Sequence, residues 1–92
     1  MANAIVTVKI MPASPEIDME SLKEKALKDI TAFNEGKETK TGIEEVAFGL
    51  KALNIIFVMD EAKGSPDPVA EKISAYEEVN SAEVTDVRRA VG

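Results

Sequence analysis

The sequence contains no cysteine and no histidine. Without cysteine it has no disulfide, no thiolate zinc site and no cysteine nucleophile. Histidine is the commonest general base and metal ligand near neutral pH, so its absence removes the side chain on which most hydrolase, transferase and metalloenzyme sites depend. We therefore expect no catalytic residue, no metal site and no cofactor in this chain.

Positive charge and long apolar runs are also scarce. Eleven Lys and Arg residues stand against seventeen Asp and Glu residues, which gives a net charge of −6. Nucleic-acid affinity comes largely from Lys and Arg that displace counterions from phosphates, so direct nucleic-acid binding is not expected. No apolar run approaches the ~20 residues that span a bilayer, and Met1–Ala4 lacks the basic region of a signal peptide. We expect a cytoplasmic protein that avoids membranes and is monomeric on its own.

Two hydrophobic periodicities organise the chain. With 45% hydrophobic residues, residues 1–92 suffice for a single domain with one core. Alternation over Ala4–Met11 predicts a half-buried strand, which ends at the Pro12 and Pro15 segment because proline cannot donate to a ladder.

Asp18 is placed to cap a helix that stops near Asn34-Glu35-Gly36. The apolar stripe of this helix has spacings of three and four and consists of Met19, Leu22, Ala26, Ile30 and Phe33.

The second half of the chain repeats the pattern. Strands are predicted over Ile43–Ala47 and Ala52–Asp60, joined by a connection at Phe48–Lys51. Apolar residues on both faces of the longer strand favour a central position in a sheet. Ser65 as an N-cap followed by Pro66 predicts the start of a second helix. Its buried stripe is Val69, Ile73 and Tyr76. A last strand is predicted over Glu83–Arg88.

The resulting order, β-α-β-β-α-β, predicts an α+β fold. Two helices that each bury one stripe fit a ferredoxin-like sandwich, in which a four-stranded antiparallel sheet carries both helices on one face. Right-handed crossovers then give the strand order 4-1-3-2. This fold hosts many unrelated functions, so it does not determine the chemistry.

Three segments carry a resemblance to a known family. They are Val6–Pro15 (VTVKIMPASP), Ala47–Ile55 (AFGLKALNI) and Glu83–Arg89 (EVTDVRR). In this order they resemble the translation elongation factor 1-beta family, and the last segment is closest to its archaeal members. The resemblance implies a guanine-nucleotide exchange factor that promotes GDP release from the GTPase elongation factor 1-alpha so that it reloads GTP during translation elongation.

The resemblance also implies two contact regions. In the family the phenylalanine of the Phe-Gly motif docks on a second domain of the partner, and Phe48 matches it here, followed by Gly49 and Lys51. The C-terminal end approaches the partner's Mg²⁺ and nucleotide site. Eukaryotic relatives have a penultimate lysine there, whereas this chain has Val91 and its last cations are Arg88 and Arg89. The intruding group is then Arg89, Arg88, or the backbone and bulk of the tail.

Nothing in the sequence indicates that the chain itself binds a nucleotide or a metal ion. Its glycines form neither Gly-x-Gly-x-x-Gly nor Gly-Lys-Ser/Thr. The adjacent acidic pairs Glu44-Glu45, Asp60-Glu61 and Glu77-Glu78 lack calcium-loop spacing and are interpreted as solvated charge.

Two other functions share the fold. An acylphosphatase-like hydrolase would need an arginine in the loop after the first strand, and Met11–Ile17 contains none, although Asn54 superficially suits. A small-molecule-binding regulatory module or an RNA-binding domain is the other alternative. RNA binding would need exposed aromatic residues on the central strands, where Phe57 is the sole candidate.

Overall fold

A computed structural model of the chain describes residues 3–47 and 49–89. The elements, in order, are β1 (Asn3–Pro12), α1 (Met19–Asn34), β2 (Thr39–Glu45), β3 (Lys51–Asp60), a 3-10 turn (Glu61–Lys63), α2 (Asp67–Ser74) and β4 (Val79–Arg89). The predicted order β-α-β-β-α-β is confirmed. Neither helix in the described ranges has both the length and the apolar character needed to cross a bilayer.

The four strands form one antiparallel sheet in the order β2-β3-β1-β4. This is the predicted order 4-1-3-2 read from the opposite edge. Ala4 at the start of β1 pairs with Met59 of β3 on one side and with Arg89 of β4 on the other. At the far end of the sheet, Lys51 pairs with Glu45 across the β2–β3 hairpin. The hairpin and the C-terminal strand end therefore lie at opposite ends of the sheet.

The core lies between the sheet and the two helices. Alternate residues of the central strands face the helices and are almost fully buried: Val6, Val8, Ile10, Leu53, Ile55, Phe57 and Met59. Leu22, Ala26 and Ile30 of α1 and Val69 and Ile73 of α2 complete the core. Burying an aliphatic or aromatic side chain of this size stabilises a protein by about 1.5–3 kcal/mol. The predicted stripe of α1 is confirmed, with Met19 and Phe33 partly buried at its ends. In α2 it is confirmed for Val69 and Ile73, whereas Tyr76 lies beyond the end of the helix and packs partly buried against the core.

Both ends of α1 follow the sequence signals. The Asp18 carboxylate accepts a hydrogen bond from the Glu20 N–H at 3.0 Å, as predicted. At the other end Glu35 adopts the left-handed conformation with φ 58°. Asn34 is fully buried, and its Nδ2 donates to the carbonyls of Val58 at 2.9 Å and Lys37 at 3.2 Å. This side chain ties the end of α1 to β3 and to the segment that leads into β2.

The predicted start of α2 is shifted along the chain. Pro66, rather than Ser65, occupies the N-cap position, and no side chain caps the helix from there. The Ser65 hydroxyl instead accepts a hydrogen bond from the Asp67 N–H at 3.0 Å, with the same two-residue separation as the Asp18 cap of α1. Pro68 then lies in the first turn, where a missing N–H costs no hydrogen bond.

Two strand boundaries differ from the sequence prediction. The prediction of Ile43–Ala47 for β2 is wrong, because the strand covers Thr39–Glu45. As the edge strand it is exposed at six of its seven positions, so burial imposes no alternation that the sequence could display. The last strand begins at Val79 instead of Glu83, because residues 79–82 continue the ladder along β1.

Candidate functional site

The β2–β3 hairpin closes through two backbone hydrogen bonds. The Val46 N–H donates to the Leu50 carbonyl and the Leu50 N–H to the Ala47 carbonyl, both at 3.0 Å. Gly49 has φ +77°, and a Cβ added there would meet nothing within 4 Å. Glycine is thus favoured at this position by the backbone conformation rather than by packing.

The predicted contact residues at this hairpin are only partly described. Phe48 lies outside the described residues, so its role stays a prediction. Gly49 and Lys51 are exposed, and Lys51 is the first residue of β3. Together with Glu45, Val46 and Leu50 they line a shallow depression of about 140 Å³. The described part of the hairpin end is therefore accessible to a partner.

The C-terminal end of β4 presents the two candidate arginines on different faces. Residues directly opposite each other in antiparallel strands share a face. Arg88 pairs with Ile5, which is 36% exposed on the face that carries no helices, whereas Arg89 pairs with the buried Ala4 on the helix side. A partner that approaches this end of the sheet can therefore meet a cation from either face.

Each arginine already has a carboxylate partner within the chain. Arg88 Nε lies 2.9 Å from Asp86 Oδ2 on the same strand. Arg89 Nε lies 2.9 Å from Glu61 Oε1 in the 3-10 turn after β3. The arginine side chains are 77% and 76% exposed, respectively. Ion pairs this exposed are worth about 0–1 kcal/mol, so they orient the guanidinium groups without locking them.

The two candidate regions are far apart on one scaffold. Arg89 is level with Met59 through their shared partner Ala4, and Lys51 begins the same strand as Met59. Eight steps of about 3.3 Å place Lys51 and Met59 about 26 Å apart along β3. β3 is a central strand, so the separation is set by a strand that is hydrogen-bonded on both sides.

A polar cluster between the helices was missed by sequence reasoning. The Tyr76 hydroxyl donates to the Asp29 carboxylate, and Lys72 Nζ lies 3.5 Å from the same carboxylate. Lys25 pairs with Glu78 and lies 5.8 Å from the centroid of the Tyr76 ring. The hydrogen bond to Asp29, burial, and the charges of Asp29 and Glu78 raise the pKa of Tyr76 to about 12. Tyr76 and Asp29 are 47 residues apart in the sequence, so no local sequence pattern predicts their hydrogen bond.

The described residues give little support to the alternative functions. Phe57, the one aromatic candidate for RNA stacking on the central strands, is fully buried and faces the helices. Asn54 Nδ2 donates to Glu44 Oε1 at 3.4 Å, so its amide is already partnered. Within residues 3–47 and 49–89, no group of three or more acidic side chains is arranged to hold a metal ion.

Comparison with protein families gives a match over nearly the whole chain. Residues 5–90 match the family described as the EF-1 guanine nucleotide exchange domain. Among curated proteins, the chain is 43% identical over 91 residues to elongation factor 1-beta of Methanosphaera stadtmanae, covering 97% of this chain and 98% of that protein. It is 42% identical over 90 residues to elongation factor 1-beta of Methanothermobacter thermautotrophicus, with coverage of 97% and 98%.

Solved structures of low sequence identity share the fold. A de novo designed protein, Foldit4, matches with a TM-score of 0.63 at 15% identity and covers 98% of each chain. BlrP1 BLUF matches with a TM-score of 0.58 at 8% identity, over 100% of this chain and 57% of that chain. Such distant matches concern the fold alone, since one fold hosts many functions.

Proposed function

Because the chain belongs to the EF-1 guanine nucleotide exchange domain family and acts in guanine-nucleotide exchange during translation elongation, we propose how it does so. It promotes GDP release from the GTPase elongation factor 1-alpha by contacting that protein at two distant points. Phe48, Gly49 and Lys51 form the contact at the hairpin. Arg88 and Arg89 form the contact beside the partner's Mg²⁺ and nucleotide.

The observation that carries this proposal is the placement of these two regions at opposite ends of one sheet. Lys51 opens β3 at one end, and Arg89 closes β4 at the other. A span of about 26 Å along the strand suits a ligand that bridges two domains of a larger GTPase. The hairpin contact supplies affinity, and it fixes where the arginines meet the partner.

The positive charge at the C-terminal end of β4 then weakens the binding of GDP to the GTPase. GTPases hold the nucleotide through backbone amides, a lysine and Mg²⁺, which neutralise the β-phosphate. A guanidinium placed beside the metal repels Mg²⁺ and competes for its ligands. Once the ion leaves, the phosphate charge stays uncompensated in a partly desolvated site, where this is costly. The exchange factor makes and breaks no covalent bond in this process, which agrees with a sequence without histidine or cysteine.

Binding linkage sets the size of the effect. If the factor weakens GDP binding by some ratio, GDP weakens binding of the factor by the same ratio. A ratio of ~1,000 requires about 4 kcal/mol of differential binding. We therefore expect the factor to bind the nucleotide-free GTPase tightly and to be displaced when nucleotide rebinds.

Stopped-flow release of a fluorescent GDP from the cognate elongation factor 1-alpha tests the proposal. The intact chain should accelerate release, and deletion of residues 88–92 should remove most of the acceleration while circular dichroism shows the fold retained. Lys28→Gln, which removes an exposed cation from α1, is the control and should leave release unchanged. Failure of the intact chain to form a complex with the nucleotide-free GTPase would refute the proposal.

A further inference from the structure

We infer that Glu61 is a positioning residue: it holds the guanidinium of Arg89 in the orientation in which Arg89 meets the partner's metal and phosphate site. The inference rests on the proposed function and deepens it by adding a carboxylate that belongs to neither contact region. The bond between them, from Arg89 Nε to Glu61 Oε1, is 2.9 Å long. Glu61 acts through Arg89 and has no contact with the nucleotide in this scheme.

The bond between Arg89 and Glu61 crosses the sheet. Glu61 follows the last residue of β3, and Arg89 is the last residue of β4. β1 lies between these strands, which places their axes about 9.5 Å apart. The side chain of Arg89 therefore extends over the start of β1, where its backbone partner is Ala4. This side-chain bond ties the end of the edge strand β4 to an element two strands away.

The atoms used in the bond leave the functional part of the guanidinium available. A guanidinium carries five N–H donors in a planar fork, and Glu61 accepts from the Nε–H. Among the described residues, no other hydrogen bond from Arg89 is formed. The two terminal nitrogens form the edge suited to bidentate contact with phosphate or carboxylate. Glu61 thus holds the guanidinium from one side, and no residue within 3–47 and 49–89 hydrogen-bonds to its other side.

Glu61 is the more firmly held of the two residues. The Asp60 carboxylate caps the 3-10 turn by accepting from the Ala62 N–H at 2.9 Å, and the Gly64 N–H donates to the Glu61 carbonyl at 3.0 Å. The side chain of Glu61 is 33% exposed, compared with 76% for Arg89. A carboxylate carried by a hydrogen-bonded turn limits the conformations of an exposed cation that contacts it, and this lowers the entropy that Arg89 loses on binding.

A second ion pair in the same segment supplies a matched control. Arg88 Nε contacts Asp86 Oδ2 at the same distance of 2.9 Å and with nearly the same exposure. Asp86 lies on the same strand two residues away, so this pair connects no separate elements of the fold. Removing the Asp86 charge alters the local charge as much as removing the Glu61 charge. It leaves the bond across the sheet intact.

The test compares Glu61→Gln, Asp86→Asn and Arg89→Gln in GDP release from fluorescent-GDP-loaded elongation factor 1-alpha, at factor concentrations well below saturation. Loss of the bond that restrains the Arg89 side chain should slow release about two- to tenfold for Glu61→Gln. Asp86→Asn should slow release less, because it leaves the bond across the sheet intact. The double variant Glu61→Gln/Arg89→Gln should be no slower than Arg89→Gln alone, because Glu61 acts only through Arg89. A purely structural role would slow release equally in both backgrounds, and thermal melts check that the fold is unchanged.

The outcomes separate this inference from the proposed function. If the wild type accelerates release and Glu61→Gln behaves like the wild type or is faster, the positioning role is refuted and the proposed function stands. Effects of Glu61→Gln and Arg89→Gln that multiply in the double variant would also refute it. If the wild type itself fails to accelerate release, the proposed function is refuted and the role of Glu61 with it.

Discussion

The hydroxyl of Tyr76 donates a hydrogen bond to the carboxylate of Asp29, and this contact joins the segment after α2 to the middle of α1. Lys72 also contacts this carboxylate, at 3.5 Å. Asp29 keeps only a tenth of its side chain exposed, so a charged tyrosine beside it would be poorly screened. The two helices are thus joined by a polar contact in addition to their apolar stripes.

Ionisation of Tyr76 should be measurable without interference. The chain has one tyrosine and no tryptophan, so the tyrosinate absorbance in an alkaline titration reports this residue alone. We expect a midpoint near the pKa of about 12, raised from 10.0 by the Asp29 hydrogen bond, burial and the nearby acidic charges. Asp29→Asn should move the midpoint back toward 10.0, and an unchanged midpoint would contradict the assigned cause.

The same shift predicts how stability depends on pH. The pKa of Tyr76 is higher in the folded chain than the unfolded value of 10.0. The stabilisation that the protonated Tyr76 hydroxyl gives the folded chain is therefore fully present below pH 10. It is lost as the pH rises from 10 through about 12. Urea unfolding across this window should show the free energy of unfolding falling less steeply for Tyr76→Phe than for the wild type. Equal slopes for the two proteins would exclude a contribution from this hydroxyl.

Asn34 should be important for stability although it is polar. Asn34→Ala removes two partly buried hydrogen bonds that the fully buried Asn34 side chain donates to the carbonyls of Val58 and Lys37. Leaving a buried acceptor without its donor costs about 1–3 kcal/mol, which urea denaturation would detect. Asn80→Ala, at an exposed position of β4, is the control and should change stability by less than about 0.5 kcal/mol. Equal effects of the two substitutions would refute the role of Asn34.

The β2–β3 hairpin should require glycine at position 49 but not at position 42. Gly49→Ala forces a Cβ into a left-handed conformation with φ +77°, which costs about 1–2 kcal/mol. Gly42→Ala introduces the same methyl group into β2, where no positive φ is required and nothing lies within 4 Å. We expect the first variant to lower the free energy of unfolding and the second to be neutral or slightly stabilising. Comparable losses in the two variants would contradict the conformational cause assigned to Gly49.

Phe48→Ala should weaken binding to elongation factor 1-alpha without unfolding the chain. An aromatic anchor at the centre of an interface contributes about 2 kcal/mol or more, which corresponds to a rise in Kd of about 30-fold. Val46→Ala is the control, because Val46 is a neighbouring exposed apolar residue, 46% accessible. Calorimetry with the nucleotide-free GTPase measures both. If the two variants lose the same affinity, the hairpin contributes general apolar contact and Phe48 has no special part in it.

The fold could be predicted from the sequence wherever burial imposes a period. Leu53, Ile55 and Phe57 alternate because one face of β3 meets the helices, and the α1 stripe recurs at helical spacing for the same reason. β2 was misplaced because an exposed edge strand needs no such alternation.

The candidate site divides along a similar line. Gly49 and the arginines can be found from the sequence, since they belong to the local motifs Ala47–Ile55 and Glu83–Arg89 that carry the family resemblance. The partnership of Arg89 with Glu61 joins residues 28 positions apart, and it follows only from the order of the strands. Glu61 belongs to an acidic pair that looks like ordinary solvated charge. Tertiary placement, and not residue type, distinguishes it from Glu44 or Glu77.

The uncovered outer edge of β2 has a bearing on how the chain behaves at high concentration. An unpaired strand edge offers free backbone donors and acceptors to any other strand, and such edges promote aggregation unless they are protected. The seven residues of β2 include Lys40, Glu44 and Glu45 and only one large apolar side chain, Ile43. Stacking this edge against another sheet would force several charges out of water. The charged side chains that remove hydrophobic alternation from β2 thus also disfavour edge-to-edge pairing of sheets from neighbouring molecules.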